Sequence, residues 1–146
     1  MTIMPRCLML CCLTLCVPAA ARGQADFVDP AALHEIDLVK YWQLRLPLAA
    51  GETVTDAYLV DDQLYFGTSG GFVFAVDAAT GALRWSNEFT RGGYRLRRPA
   101  HWGIATAIVT PAEVTLFDRH YGTPIRKMDL RFPAGTAGVS NGKLLF

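Results

Sequence analysis

The sequence predicts an all-β fold, and three observations support this prediction. From Tyr41 onward, short runs rich in β-branched and aromatic residues follow one another at close spacing. Turn-forming sequences separate these runs, with DD at 61–62, SGG at 69–71 and AATG at 78–81. No long helical pattern interrupts them. Hydrophobic residues make up 51% of the 146-residue chain, which is enough for a packed core.

The first 25 residues have the layout of a secretory signal peptide. Arg6 supplies a positive start, residues 7–17 form an apolar run, and small residues around Ala21 and Ala25 fit signal cleavage. The apolar run is shorter than the roughly 20 residues that a membrane-spanning helix needs. We therefore expect an exported protein, either periplasmic or extracellular.

The cysteines all lie inside this signal segment. A mature chain without them would have no disulfide, no cysteine zinc site and no cysteine nucleophile. The sequence LTLC, which ends at Cys16, leaves lipidation of Cys16 open as an alternative, and membrane association is expected only in that case. Removal of residues 1–25 leaves 12 basic and 13 acidic residues, a formal net charge of −1. This near-neutral balance gives no reason to expect nucleic acid as a partner.

Residues 26–40 are predicted to form a short helical lead-in. Asp29 can accept from free N–H groups at a helix start, and Pro30 suits the first helical position. These signals predict a helix over residues 29–38.

The β-strand patterns fall into sets. Residues 41–48 alternate like the last strand of an earlier set. The first complete set has runs at 54–60, 63–69, 72–77 and 82–89. After a connection at 90–103, the second set has runs at 104–110, 114–118 and 124–132, and a third set begins at 137–146.

These sets are repeats with a period near 40. Asp77 and Gly81 recur 41 positions later as Asp118 and Gly122, and residues 60–66 match residues 140–146 at an offset of 80. Four strands at this period are typical of a β-propeller blade. Residues 41–146 are therefore predicted to form an incomplete β-propeller, with about two four-stranded blades and the start of a third. Because propellers close with about four to eight blades, the chain is expected to be an N-terminal fragment. Its open strand edges would favour self-association.

One segment carries a more specific signal. In AVDAATGALRW, Asp77 can accept from the turn that it begins, Thr80 can add a hydroxyl bond, and Gly81 supplies the left-handed backbone. Trp85 can pack against a neighbouring blade. The segment resembles the repeat of the pyrroloquinoline-quinone (PQQ)-like β-propeller family, roughly Ala-x-Asp-x-x-Thr-Gly-x-x-x-Trp. The matching residues are Ala75, Asp77, Thr80, Gly81 and Trp85.

The resemblance covers about residues 42–146, and the second repeat departs from it. Tyr121 replaces the threonine, and no tryptophan follows Ile125. Among secreted bacterial proteins with this repeat, the resemblance favours a non-catalytic scaffold that binds a protein partner. It leaves two alternatives open: a periplasmic scaffold for outer-membrane β-barrel assembly, and a quinoprotein oxidoreductase. The oxidoreductases of the family hold PQQ and Ca²⁺ on the propeller axis, so these cofactors are expected only under that alternative.

No catalytic, cofactor or metal residue is predicted. The acidic residues fall mostly in turns and form no calcium-loop pattern. The spacings of His34, His101 and His120 match no metal motif, and His101 is expected either to pack in the core or to line a channel. The sequence RGGYRLRR is the candidate partner-binding stretch, with a solvated loop as the alternative. Its candidate residues are Arg91, Tyr94, Arg95, Arg97 and Arg98.

Overall fold

The computed structural model describes residues 27–90 and 93–146. The chain divides into two compact units, Met1–Leu38 and Val39–Phe146. The predicted signal peptide with its cysteines, and Arg91 of the candidate partner-binding stretch, lie outside the described residues. Within the described part, no helix has the length and apolar character required to cross a membrane.

The first unit contains one short helix, α1 (Pro30–His34). Its start follows the sequence prediction, because the Asp29 carboxylate accepts from the backbone N–H of Ala31 at 2.9 Å. The helix ends at His34, four residues before the predicted end. None of its residues is buried, so no packing extends it beyond the capped turn. Asp37 also adopts a positive φ of 54°, which is incompatible with a continuing helix.

The second unit consists of two four-stranded antiparallel sheets, which confirms the all-β prediction. The first sheet has the order β1-β2-β3-β4 and the second the order β5-β6-β7-β8, so each sheet is a meander of consecutive strands. The strands of the first sheet are β1 (Val54–Val60), β2 (Gln63–Thr68), β3 (Phe72–Asp77) and β4 (Leu83–Glu88). Those of the second are β5 (Ala100–Trp102), β6 (Ala105–Val109), β7 (Glu113–Asp118) and β8 (Pro124–Asp129).

Burial follows strand position in each sheet. Strand β6 is buried along its whole length, whereas the outer strand β8 is mostly exposed. One hydrophobic cluster takes its buried members from both sheets and from the segment that connects them, so the sheets pack on each other. Its members are Val60, Tyr65, Val73, Ala75, Trp85, Phe89, Leu96, Ile108 and Phe117.

The structure corrects two strand assignments. Residues 41–48, predicted as a strand, contain none in the described structure. A strand requires a hydrogen-bonded neighbour, and neither sheet extends to this segment. Conversely, the predicted connection at 90–103 contains β5, which forms because Ala100 and Trp102 pair with β6.

The beginning of a third set is present as a small hairpin. Ser140 and Leu145 form an isolated antiparallel bridge, and Val139 and Phe146 exchange two backbone hydrogen bonds of 2.9 and 2.8 Å. This hairpin packs near the second sheet, since Leu145 contacts the cluster formed by the small and aliphatic side chains of β5, β6 and β7.

Candidate functional site

The first Asp-x3-Gly turn joins β3 to β4 through a dense set of hydrogen bonds. Asp77 Oδ1 accepts from the N–H groups of Ala79 and Thr80 at 3.1 and 2.8 Å, and from the Thr80 hydroxyl at 2.9 Å. The other carboxylate oxygen pairs with Arg84. This bond to Arg84, followed by those from Thr80, lowers the pKa of Asp77 to about 2. Asp77 is therefore ionised and acts as the turn's acceptor.

The second turn, between β7 and β8, repeats this geometry with fewer contacts. Asp118 Oδ1 accepts from the N–H groups of His120 and Tyr121, both at 2.8 Å. Tyr121 supplies no bond equivalent to that of the Thr80 hydroxyl. Gly122 closes the turn by donating its N–H to the Asp118 carbonyl at 2.9 Å. The two sheets therefore have turns of the same backbone form despite the change at Tyr121.

An indole ring lies on each turn. Trp42 Nε1 donates to the Ala78 carbonyl at 2.9 Å, and Trp85 Nε1 donates to the Arg119 carbonyl at 3.0 Å. Glycine is needed under each ring, because Gly81 and Gly122 have φ of 71° and 70° and an added Cβ would lie 2.5 and 2.6 Å from indole carbon atoms. Since Trp85 belongs to β4 of the first sheet, its ring connects that sheet to the turn of the second.

The second sheet carries no indole at the corresponding place. In the first sheet Trp85 pairs with Ala75. The residues 41 positions later, Arg126 and Leu116, form the equivalent pair in the second sheet. The tryptophan missing after Ile125 is thus replaced by an exposed arginine. Any contact beyond the second sheet must use other side chains.

Beneath Trp85, a buried polar network links the two sheets. The hydroxyl of fully buried Tyr65 lies 2.8 Å from His101 Nε2 and 2.8 Å from Thr106 Oγ1, and it also donates to the Gln63 side-chain carbonyl. Gln63 Nε2 donates in turn to the Arg119 carbonyl at 3.0 Å. Tyr65 and Gln63 belong to β2, whereas the other groups belong to the second sheet and its turn. The network satisfies polar groups that burial would otherwise penalise.

His101 carries this network outward to a carboxylate. Its Nδ1 lies 2.7 Å from Asp61 Oδ2, and the imidazole is only 7% exposed. Burial, reinforced by Arg119 and opposed by Asp61, lowers the pKa of His101 below 6.5. The neutral imidazole has one proton, and a carboxylate can only accept, so that proton lies on Nδ1. The lone pair of Nε2 and the Gln63 side-chain carbonyl then share the single proton of the Tyr65 hydroxyl. Asp61 is held in place by its bond to Nδ1.

Tyr65 predicts a loss of stability at alkaline pH. Burial raises the pKa of Tyr65 to about 12, whereas an unfolded tyrosine titrates near pH 10. The folded state therefore retains a proton that the unfolded state loses. This stabilisation is complete below pH 10 and is lost as the pH rises toward 12, with a full size of roughly 2–3 kcal/mol.

Urea unfolding of the full chain between about pH 8 and 11.5 measures this effect. We expect Tyr65→Phe to be less stable at pH 8, since the network loses its central hydroxyl, and to show a flatter decline above pH 10. An unchanged alkaline slope in Tyr65→Phe would assign the decline to other groups.

A cavity of about 270 Å³ opens beside Asp61 and His101. Its walls come from three places in the chain: the end of β1, the residues at the start of β5, and the segment that enters the C-terminal hairpin. The lining residues are Val60, Asp61, Arg98, Pro99, Ala100, His101, Gly138, Val139 and Ser140.

The candidate partner-binding stretch serves partly as a structural connection. Arg95 pairs with Asp56 of β1 at 2.8 Å. Arg97 Nη1 donates to the Ala134 and Thr136 carbonyls at 2.7 and 2.9 Å. Tyr94 and Arg95 nevertheless remain accessible, with the Tyr94 residue 50% exposed and the Arg95 side chain 76% exposed. Tyr94, Arg95 and Arg98 are thus exposed, although Arg95 also donates to the Thr55 carbonyl at 2.9 Å. Arg97 is only partly exposed and is bound to two backbone carbonyls.

The other predicted positions are distributed without forming a metal site. His34 is exposed at the end of α1, and His120 is exposed in the second turn, where Nδ1 lies 3.2 Å from Arg84. In residues 27–90 and 93–146, no group of three histidine, cysteine or acidic side chains is arranged to hold a metal ion.

Sequence reasoning missed the network around Tyr65. No local motif marks Gln63, Tyr65 or Thr106, because their contacts join residues far apart in the chain. The one usable signal is the repeat itself: Tyr65 contacts residues 36 and 41 positions away, and Asp61 contacts His101 at a separation of 40.

These observations define an all-β protein of two similar four-stranded sheets, each with an Asp-x3-Gly turn. No family model matches the chain, and no curated protein matches it. Among solved structures, it is similar to a europium-containing methanol dehydrogenase, with 14% sequence identity and a TM-score of 0.38. The match covers 51% of this chain and 15% of that one, so the chain spans a small part of the length of this structural neighbour.

Proposed function

We propose that this chain is an exported repeat protein of the PQQ-like β-propeller type, with two blades and the beginning of a third, that acts as a non-catalytic scaffold for a protein partner. The strand order of each sheet and the recurring turn at Gly81 and Gly122 support the blade assignment. The signal sequence supports export. The unpaired outer edges of the two sheets would accept further strands of the same array or of another copy.

The observation that carries the scaffold proposal is the connector at Tyr94–Arg98. Tyr94 and Arg95 face outward, while Leu96 is buried in the core and Arg97 is bonded to two carbonyls. Tyrosine and arginine are the residue types that contribute most at protein interfaces. Because the connector is already fixed, binding would require little ordering of its backbone, which favours affinity.

A cleft beside Tyr94 extends this surface. It has a volume of about 500 Å³ and contains the aromatic ring of Phe89 together with the ion pair between Lys127 and Glu113, whose atoms are 2.6 Å apart. Apolar surface beside charges of both signs suits a polypeptide better than a simple ion.

A photo-crosslinking amino acid in place of Tyr94, introduced into the full chain in its native host, tests the scaffold proposal. Tyr121, also an exposed tyrosine, is the matched control position. We expect position 94 to give one dominant crosslinked protein, with a yield that falls in Arg95→Gln and at high salt because the contact is partly ionic. Position 121 should not give this product. Identical products at both positions, or none at 94, would contradict the proposal.

The same experiment tests the first of the two alternatives. An outer-membrane assembly scaffold would crosslink to a barrel-assembly protein, and Cys16→Ser would release it from membranes if lipidation anchors it. For the oxidoreductase alternative, Ca²⁺ requires about six to eight oxygen ligands. The described residues contain no group of three histidine, cysteine or acidic side chains arranged to hold a metal ion, and absorbance of bound quinone after addition of PQQ and Ca²⁺ to the full chain tests this alternative.

A further inference from the structure

The cavity beside Asp61 contains opposite charges that do not neutralise each other. Arg98 and Asp61 both line it, yet within the described part of the chain Asp61 pairs only with His101. The Arg98 guanidinium has five N–H donors, and within residues 27–90 and 93–146 its contact is one bond of 3.5 Å from Nη2 to the Leu59 carbonyl. Most of its donors therefore remain available to a ligand.

Asp61 offers a positioned acceptor. One carboxylate oxygen is held by His101, which is itself anchored on Tyr65, while the other has no protein partner among the described residues. The carboxylate remains 68% exposed and so can be reached from the cavity. A group that donates protons, such as an ammonium, would satisfy the second oxygen.

The remaining walls suit a short molecule. Val60, Ala100 and Val139 supply apolar surface, and Ser140 supplies a hydroxyl. The Ser140 oxygen accepts from the Gly142 N–H at 3.0 Å, which leaves its own proton free to donate. A volume of about 270 Å³ corresponds to roughly nine water molecules at about 30 Å³ each, so the ligand would have about ten heavy atoms or fewer.

We propose that this cavity binds a small zwitterion of the amino-acid class, with its carboxylate on Arg98 and Ser140 and its ammonium group on Asp61. A simple anion would be attracted by Arg98 but repelled by the Asp61 carboxylate. A simple cation would be attracted by Asp61 but repelled by Arg98. A ligand with both charges satisfies both groups, and fork-shaped pairing of a guanidinium with a carboxylate fixes its orientation. This inference is independent of the scaffold role.

Titration of the full chain with L-alanine, followed by the backbone amide NMR signals of residues 98, 100, 101 and 138–140, tests the site. Acetate and ethylammonium serve as the two half-ligands. We expect alanine to shift these signals at millimolar concentration, and each half-ligand to bind at least about tenfold more weakly, because each loses one charged contact. Equal shifts by acetate and alanine would show that only the carboxylate is bound, which would overturn the proposal. The absence of any shift would overturn it too.

Variants with matched controls complete the test. Arg98→Gln and Asp61→Asn should each weaken alanine binding at least about tenfold, and Asn can retain the acceptor toward His101. Arg95→Gln and Asp62→Asn change neighbouring residues of the same types that do not line the cavity, so they should leave binding unchanged. Since Arg98 is exposed and makes one long hydrogen bond, Arg98→Gln should fold normally. Undiminished binding in folded Arg98→Gln would refute the assignment.

Discussion

Replacing Trp85 with alanine is expected to lower the free energy of unfolding by about 3–5 kcal/mol, the typical cost of removing a large buried aromatic side chain. The Trp85 residue is 6% exposed. Its ring packs at centroid distances of 5.9 Å from Tyr65 and 5.8 Å from Phe117. The change would also remove one donor to the Arg119 carbonyl, which among the described residues then keeps the bond from Gln63. The loss affects both sheets, since Tyr65 and Phe117 lie in different sheets.

Urea unfolding of the full chain measures this loss, with two comparison variants. Trp102→Ala is the matched control, because this ring is only partly buried and donates to the Lys143 carbonyl in the C-terminal hairpin. It should cost clearly less. Trp85→Phe keeps an aromatic ring but removes the indole N–H, and should cost about 1 kcal/mol from the hydrogen bond together with a packing loss. Equal costs for Trp85→Ala and Trp102→Ala would show that the indole does not join the sheets.

Local chemistry made the first sheet predictable. Its strands alternate or are continuously apolar, and each turn between them contains residues with a specific backbone role, such as Asp77 and Gly81. The same rules placed the second turn, where Asp118 and Gly122 keep the pattern although the threonine is lost. These features depend on residues within a few positions of each other, so a single sequence contains them.

Whether a segment forms a strand depended on pairing with another segment in the two places where the sequence patterns were wrong. Strand β5 has three residues and lies between Pro99 and Gly103, which are typical of a loop. It becomes a strand because β6 provides its partner. Residues 41–48 have the alternation of a strand, but Trp42 lies on the first turn, and no described strand pairs with the segment. A pattern shows that a segment can form a strand, and only the fold shows whether a partner exists.

The polar groups of the candidate site escape prediction for a related reason. The sequence places Asp61 in a turn, as the structure does, but the bond from this residue to His101 spans one repeat length. For His101 the sequence allows either packing or a central channel. The structure packs its ring against Tyr65, and the residue also lines the cavity beside Asp61. Aligning the two repeats in sequence would place such residues at nearby positions. Their side-chain contacts cannot be predicted in this way, because they depend on the twist and spacing of the sheets.

Gly122→Ala is expected to destabilise the protein through two separate effects. A residue with φ of 70° is destabilised by roughly 1–2 kcal/mol when it carries a Cβ. The new methyl group would also lie 2.6 Å from two indole carbons and 2.8 Å from the Cβ of Trp85. Because the Cβ belongs to the root of the side chain, a rotamer change cannot relieve the clash, and overpacking of this kind adds about 1–3 kcal/mol.

Gly103→Ala measures the backbone effect alone, because Gly103 also has a positive φ, of 58°, but an added Cβ there meets no atom within 4 Å. Its cost should be limited to the backbone conformation. In a Trp85→Ala background, Gly122→Ala should cost less than in the native chain, since the ring contacts are gone. It should still cost more than Gly103→Ala, since the Cβ of residue 85 remains. Urea unfolding of Gly122→Ala, Trp85→Ala and the double variant gives the coupling energy between positions 85 and 122. Gly103→Ala is measured alongside as the comparison. If the two changes in the free energy of unfolding were strictly additive, the indole of Trp85 would have no steric contact with the substituted turn.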